Sequence, residues 1–128
     1  YGTLFATIAD VDKEKALPLI RRFYNLGFNI EGTKGTAEFL RQNGIRTRYR
    51  AKLSEGSDEI FTALRQGHIN YVINTMDISQ GDSTRDGYEI RRCAVENNVS
   101  IFTSLETVQV LLDVLEEITL GVSTIDAE

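Results

Sequence analysis

Short apolar runs alternate along the chain with longer segments in which apolar residues recur every three or four positions. The run from Leu4 to Ile8 is nearly continuous, which is typical of a strand covered on both faces. The next segment instead spaces Leu17, Ile20 and Tyr24 one helical turn apart. Over the whole chain the pattern predicts strands at residues 1–8, 28–31, 45–50, 71–73 and 99–102, and helices at residues 13–26, 36–43, 59–66, 88–97 and 105–118.

Local composition modifies this pattern in three places. Pro18 lacks an amide proton and clashes with the preceding turn, so we expect the first helix to be irregular near it. Residues 77–87 are rich in Asp, Ser, Gly and Thr and predict a loop, and the last ten residues, which have no periodicity, predict a frayed tail. We therefore expect one domain over residues 1–118 and a C-terminal tail over residues 119–128.

Strands and helices alternate from one end of the chain to the other. This order predicts an α/β fold with three layers, α-β-α: a five-stranded parallel sheet with helices on both faces, of the Rossmann- or flavodoxin-like kind. In open sheets of this kind, ligands bind beyond the carboxyl ends of the strands. We therefore look for the functional site among the residues that follow each strand.

The turn between the second strand and the second helix contains two glycines and two threonines. Gly32 and Gly35 allow the backbone to come close to a ligand, and Thr33 and Thr36 carry hydroxyl groups. A helix N-terminus supplies unpaired amides and a partial positive charge, to which Lys34 adds a full charge. Two interpretations stay open: a phosphate cradle, or a glycine turn in which Thr36 caps the helix.

Hydroxyl, amide or ammonium groups follow every predicted strand, and most of them are hydrogen-bond donors. Such a set suits an anionic ligand, which lysine charges and oriented N–H and O–H groups would hold. The alternative is the ordinary polarity of loops. The candidate binding residues are Thr7, Lys13, Thr33, Lys34, Gly35, Thr36, Lys52, Asn74 and Thr75, with Thr103 and Ser104 following the fifth strand.

Composition and charge narrow the possible partners. The 128 residues are 41% hydrophobic and carry a net charge of −5, which suits one globular core and argues against nucleic acid as the main partner. No apolar run approaches the ~18 residues of a membrane span, so no membrane partner is expected. The single cysteine, Cys93, falls on the apolar side of a predicted helix, which favours a buried structural thiol in a reducing cytoplasm.

Catalytic constellations are hard to find in the sequence. The single histidine, His68, precedes the fourth strand and is expected in a solvated turn at the end of the sheet opposite the candidate pocket. No cysteine or histidine spacing typical of a metal site is present, so no catalytic residue or metal ligand is predicted. Arg46, Arg48 and Arg50 alternate along the polar third strand, where they either frame an anion or decorate a sheet edge.

Several segments form a recognisable series. They are Thr7…Asp12-Lys13, Gly32-Thr33-Lys34-Gly35-Thr36-Ala37, Lys52-Leu53-Ser54-Glu55-Gly56, Tyr71-Val72-Ile73-Asn74-Thr75 and Ile90-Arg91-Arg92. This series resembles the methylglyoxal synthase-like domain and, more narrowly, the C-terminal regulatory domain of the carbamoyl phosphate synthetase large subunit. The resemblance covers nearly the whole chain, and the start at Tyr1, without Met, agrees with a domain cut from a longer polypeptide.

The resemblance implies a pocket for an allosteric nucleotide, with UMP as the first candidate effector and IMP as the second. The phosphate contacts would come from Lys13, Thr33, Gly35, Thr36 and Lys52, with Thr7 nearby, while Asn74 and Thr75 would face the sugar or base. The domain itself would be non-catalytic and would bind no cofactor.

The same resemblance implies a parent enzyme of the ATP-dependent ligase class. Such an enzyme makes carbamoyl phosphate from glutamine or ammonia, bicarbonate and ATP, for pyrimidine and arginine biosynthesis in the cytoplasm. The parent would use ATP with magnesium or manganese, and potassium is a further candidate. Its partners would be the remaining domains of the large chain and the glutaminase small subunit.

Four positions depart from patterns in this superfamily. The methylglyoxal synthase branch has an aspartate where we align Ser57 and a histidine near Ser83, so we do not expect lyase activity. Met76 replaces a hydroxyl residue of some synthetases, which affects the contacts expected on the base side of the effector. Ile101 replaces a tyrosine used for ornithine activation, so ornithine is not an expected ligand. A lyase acting on dihydroxyacetone phosphate and a docking or oligomerisation domain without ligand stay as alternatives.

Overall fold

The computed structural model describes residues 2–51, 56–75 and 81–127, and for residues 81–87 and 120–127 it describes the backbone alone. The strands are β1 (Thr3–Thr7), β2 (Asn29–Gly32), β3 (Thr47–Tyr49), β4 (Tyr71–Asn74) and β5 (Ser100–Phe102). The helices are α1 (Lys13–Asn25), α2 (Lys34–Gln42), α3 (Glu59–Arg65), α4 (Gly81–Glu96) and α5 (Leu105–Ala127). A short 3-10 turn, Asp10–Asp12, leads into α1. The predicted order of elements is confirmed.

The strands form one parallel sheet in the order β3-β2-β1-β4-β5. Helices α1, α2 and α5 pack on one face of this sheet, and α3 and α4 pack on the other. The predicted three-layer α/β fold is therefore confirmed. From β1 the chain proceeds towards one edge and from β4 towards the other, so a crevice forms between the carboxyl ends of these two strands, where such sheets bind ligands.

Each face of the sheet has its own apolar core. Leu4 and Ala6 of β1 belong to the core beneath α1, α2 and α5, whereas Phe5 belongs to the core beneath α3 and α4. All three side chains are fully buried. Because both faces are covered, successive residues of β1 are all apolar, which explains the nearly continuous run in the sequence.

The first two helices differ from their predicted form. Helix α1 continues without interruption through Pro18, which removes the hydrogen bond to the Glu14 carbonyl but does not end the helix. Helix α2 begins at Lys34, so Thr36 lies inside it and the interpretation of Thr36 as the N-cap is wrong. The N-cap position belongs to Thr33, whose backbone is extended (φ −71°, ψ 169°) and whose side chain makes no capping hydrogen bond.

Two helices are longer than the sequence pattern indicates. Residues 81–87 belong to α4, so their assignment to a loop is wrong, and the α5 backbone continues past Ile118 to Ala127. Extending an existing helix by one residue requires far less ordering than starting a new one. The well-patterned parts of α4 and α5 can therefore propagate into flanking segments that would not form helices alone. No helix in the described ranges is long and apolar enough to cross a membrane.

The thiol of Cys93 lies in the core beneath α3 and α4, with 9% of the residue exposed. Burial raises the pKa of this thiol, and the Asn97 side-chain amide lies 3.6 Å from its sulfur. A raised pKa lowers the fraction of reactive thiolate at neutral pH. The predicted buried, structural role of Cys93 is confirmed.

Candidate functional site

The carboxyl ends of three strands meet at the crevice. Thr7 pairs with Asn74 in the register of β1 and β4, and the Thr75 amide donates to the Thr7 carbonyl at 3.2 Å. On the other side of β1, the Thr33 amide donates to the Ala6 carbonyl at 3.4 Å. The polar residues predicted from separate strand ends are therefore neighbours in the folded chain.

Gly32 allows the turn after β2 to lie close against β1. A Cβ at this position would be 3.0 Å from the Ala6 carbonyl oxygen and 3.4 Å from Cγ2 of Thr36. The first of these distances is shorter than an ordinary van der Waals contact, and the Ala6 oxygen is a backbone atom. The absence of a side chain at Gly32 therefore helps to set the position of the first turn of α2.

This first turn leaves backbone amides without helical acceptors. Ala37 donates to the Thr33 carbonyl at 2.7 Å, and the amides of Lys34, Gly35 and Thr36 precede this first intrahelical bond. Gly35 is exposed and has no side chain to block the approach of a ligand. Free amides and the positive end of the helix dipole together form a common geometry for binding an anion.

The ammonium group of Lys13 lies beside the same turn. Its Nζ is 3.2 Å from the position that a Cβ on Gly35 would occupy, and it forms an ion pair with the Asp10 carboxylate. The Lys13 side chain is only 16% exposed, whereas that of Asp10 is 74% exposed. A full positive charge and the N-terminal end of α2 therefore converge at Gly35, as the sequence predicted for Lys13.

The threonine hydroxyl groups also hold the turn in place. Thr33 Oγ1 donates to Thr7 Oγ1 at 3.3 Å, and the Ile8 amide donates to Thr36 Oγ1 at 3.0 Å. Both Thr33 and Thr36 are buried. A hydroxyl that accepts one hydrogen bond keeps its own proton for a second partner. Thr36 can therefore support the fold and still donate to a ligand.

Asn74 and Thr75 are buried at the end of β4. The Ala9 amide donates to Thr75 Oγ1 at 2.9 Å, so this hydroxyl is also part of the framework. Thr75 lines an open cavity of about 490 Å³ between α1 and the start of α5, together with Thr103 and Ser104. The strand-end residues Thr75, Thr103 and Ser104 thus share a second concave surface.

Two of the predicted site residues are not placed in this cluster. Lys34 is exposed and lines a different, smaller cavity of about 220 Å³ with Glu38, Arg41 and Tyr49. Lys52 lies outside the described residues, as do Met76 and the side chain of Ser83.

An ion pair adjoining the turn was missed by the sequence analysis. Arg50 binds the Glu31 carboxylate through Nε and through Nη2, the latter at 3.3 Å, and its own amide donates to the Gly32 carbonyl at 2.9 Å. Both side chains are nearly buried. Arg50 therefore already has an anionic partner within the protein. The sequence offered two alternatives for the arginines of the predicted third strand, framing an anion or decorating a sheet edge, and neither describes this ion pair. Glu31 and Arg50 stand at the ends of two neighbouring predicted strands, and their opposite charges were the signal in the sequence from which this ion pair could have been predicted.

Ser57, which is aligned with the proton-transfer aspartate, and His68, the single histidine of the sequence, both have structural partners. The Glu59 amide donates to Ser57 Oγ at 3.2 Å, so this hydroxyl supports the start of α3. His68 is exposed in the turn before β4, where its Nε2 lies 3.1 Å from Gln66 Oε1. That turn is at the amino end of the sheet, opposite the crevice, as the sequence predicted.

Comparisons with known proteins agree with this fold. Residues 15–103 match the family model of the MGS-like domain. Large chains of carbamoyl phosphate synthase from the Langeland and Kyoto strains of Clostridium botulinum are each 39% identical over 113 residues, which is 88% of this chain and 10% of theirs. The crystal structure of methylglyoxal synthase from Elizabethkingia anophelis NUHP1 superposes with a TM-score of 0.71 at 15% identity, covering 87% of this chain and 76% of that one.

These matches confirm the resemblance stated from the sequence. The likeness to the methylglyoxal synthase structure supports the fold alone, because its sequence identity is low. The chain spans about a tenth of the length of the carbamoyl phosphate synthase relatives that it matches. The chain belongs to the MGS-like domain family and is homologous to part of the carbamoyl phosphate synthase large chain.

Proposed function

We propose that this chain is the allosteric regulatory domain of a carbamoyl phosphate synthase large chain and that it binds a nucleotide monophosphate. The observation that carries the proposal is the position of Lys13 Nζ beside Gly35, at the amino end of α2. UMP is the first candidate effector and IMP the second. The effector phosphate would accept hydrogen bonds from the amides of residues 34–36 and pair with the ammonium group of Lys13.

Three further residues complete the proposed site. Thr36 can donate its remaining hydroxyl proton to the phosphate, because its oxygen already accepts from Ile8. Lys52 would add a second positive charge from the segment after β3. Asn74, buried at the end of β4, would face the sugar or base of the effector.

A regulatory role fits the chain better than a catalytic one. At the positions aligned with the catalytic carboxylate and imidazole of the lyase branch, this chain has Ser57 and Ser83. The Ser57 hydroxyl accepts from the Glu59 amide and so supports a helix start. We therefore assign the chemistry to the parent: ligation of bicarbonate and ammonia from glutamine at the expense of ATP, with magnesium or manganese and a glutaminase small subunit, in the cytoplasm.

An effector can regulate such an enzyme only if it binds two conformations of the parent with different affinities. Effector binding to this domain would then shift the equilibrium between the two conformations of the parent, while the chemistry takes place in other domains. A ligand that binds both conformations equally would change no rate, however tightly it binds. The proposal therefore requires an affinity difference, which a binding measurement on this chain alone does not report.

Calorimetric titration of the chain with UMP, IMP and inorganic phosphate tests the binding step. We expect UMP to bind and Lys13→Met to weaken that binding by about tenfold or more, because a charge-assisted hydrogen bond is lost. Lys15→Met is the matched control, because Lys15 is an exposed lysine of the same helix and lines the other cavity. Failure of all three ligands to bind at millimolar concentration would refute the proposal.

Two other functions give different outcomes in simple assays. A lyase would release methylglyoxal from dihydroxyacetone phosphate, and the loss of that activity in Ser57→Ala would support this reading. A docking domain without ligand would show no change in thermal stability with nucleotide. An effector at ~100 times its dissociation constant should instead stabilise the chain by about 2.7 kcal/mol.

A further inference from the structure

Asp10 is the anionic partner of Lys13 in the described part of the chain. Its carboxylate pairs with the same ammonium group that lies 3.2 Å from the Cβ position of Gly35. Asp10 opens the 3-10 turn Asp10–Asp12, whose backbone is held by the bond from the Asp12 amide to the Ala9 carbonyl at 2.9 Å. The carboxylate therefore reaches the candidate site from a turn that has hydrogen bonds of its own.

The two members of this ion pair differ in their exposure. Asp10 is 74% exposed, so water can solvate its carboxylate as soon as the pair separates, whereas Lys13 is 16% exposed and depends on a nearby anion. An exposed carboxylate gains little from an ion pair, because water competes with its partner. The carboxylate can therefore leave at small cost, while the ammonium group stays at the amino end of α2.

We infer that Asp10 is a built-in competitor of the effector phosphate, which must displace it from Lys13 in order to bind. This inference rests on the proposed function, because it concerns the same phosphate site. An arriving phosphate carries up to two negative charges and brings several acceptor oxygens. It can accept from the amides of α2 as well as from Lys13, which Asp10 does not do in this structure. The competitor thus raises the effector concentration at which the site fills.

The opposite role is a positioning one, in which Asp10 holds Lys13 ready for the ligand. The two roles predict opposite signs when the carboxylate is neutralised. Removing a competitor should tighten phosphate binding, whereas removing a positioning partner should weaken it. Asp12 provides a matched control, because it belongs to the same turn and carries the same charge but lines the cavity between α1 and α5.

The test is calorimetric titration of this chain and its Asp10→Asn, Asp10→Glu and Asp12→Asn variants with inorganic phosphate and with UMP. We expect Asp10→Asn to bind both ligands about two- to five-fold more tightly, the range that an exposed ion pair supports. Asp10→Glu keeps a carboxylate and should bind as the unaltered chain does. Asp12→Asn should change the affinity by less than Asp10→Asn, and a gain of equal size would show a general charge effect and refute the inference.

Unchanged or weaker binding by Asp10→Asn, with the unaltered chain still binding UMP, would overturn the competitor role and leave the proposed function standing. If neither the unaltered chain nor any variant binds phosphate or UMP, the proposed function fails and the competitor role fails with it. Circular dichroism of each variant checks that the fold is kept, which is expected because Asp10 is exposed.

Discussion

The Ile8 amide donates a 3.0 Å hydrogen bond to the hydroxyl oxygen of Thr36. Both residues are buried, and the bond joins the segment after β1 to the first turn of α2. The sequence suggested that Thr36 served either a ligand or a helix cap. The contact shows a third role, because the side chain of Thr36 satisfies the amide of a residue 28 positions earlier in the chain.

Replacement of Thr36 by valine should lower the free energy of unfolding by about 1–3 kcal/mol, because the buried Ile8 amide loses its acceptor. Thr36→Ser keeps the oxygen and should retain most of the stability. Urea unfolding of the two variants measures the difference. Equal stability of Thr36→Val and the unaltered chain would mean that water or another acceptor replaces the hydroxyl.

Gly35→Ala should separate binding from folding. The new Cβ would lie 3.2 Å from Nζ of Lys13, the free end of a flexible side chain, so the lysine can move aside. Alanine in the first turn of a helix should leave stability unchanged or raise it by up to about 1 kcal/mol. We expect weaker phosphate binding in a titration, with an unfolding midpoint that does not fall. Unaltered phosphate affinity would show that the ammonium group does not need that position.

The ion pair between Glu31 and Arg50 should be sensitive to the loss of one partner. Both side chains are nearly buried, so Arg50→Met would leave a carboxylate without its cation and should cost roughly 3 kcal/mol of unfolding free energy. Arg48→Met, at an exposed position of β3, should change stability by less than about 0.5 kcal/mol. Adding Glu31→Gln to Arg50→Met should recover part of the loss, and a cycle of urea unfolding measurements reports the coupling. Additive effects would exclude a direct interaction.

The contact between α1 and α5 should make stability depend on pH at the acidic end. Arg22 donates to Glu116 at 2.6 and 3.1 Å and to Asp113 at 2.8 Å. The hydrogen bond from Arg22 lowers the pKa of Glu116 from its ordinary value of 4.5. A lowered pKa in the folded state contributes stability that is complete above pH 4.5 and is lost as the pH falls through the folded value.

Glu116→Gln tests this dependence. Because Glu116 is partly exposed, we expect a loss below about 1 kcal/mol at pH 7, and this loss should shrink as the pH falls below 4.5 and the carboxylate becomes protonated. Glu117→Gln is the control, because its side chain is exposed on the same helix. Urea unfolding at three pH values measures both. A Glu116→Gln deficit that persists at low pH would point to packing instead of charge.

The sequence pattern was sufficient for the fold class and for grouping most of the candidate residues at the carboxyl ends of the strands. Strands covered on both faces require apolar residues at successive positions, as in Leu4, Phe5 and Ala6, so a buried parallel sheet is visible in the amino-acid order itself. The chain direction then determines which ends of the strands carry the candidate residues. Thr7, Thr33 and Asn74 could be grouped for this reason before any contact was known.

Contacts between distant residues could not be read from the same pattern. The partner of Thr36 lies 28 positions away and that of Thr75 lies 66 positions away, and each depends on which strands become neighbours. The ends of α4 and α5 were also misjudged, because a helix that is stabilised by packing can extend into residues with weak helical preference. Local preference thus determined the elements and their order. The tertiary structure decided that Lys13 meets Gly35, because only packing brings an ammonium group of α1 to the amino end of α2.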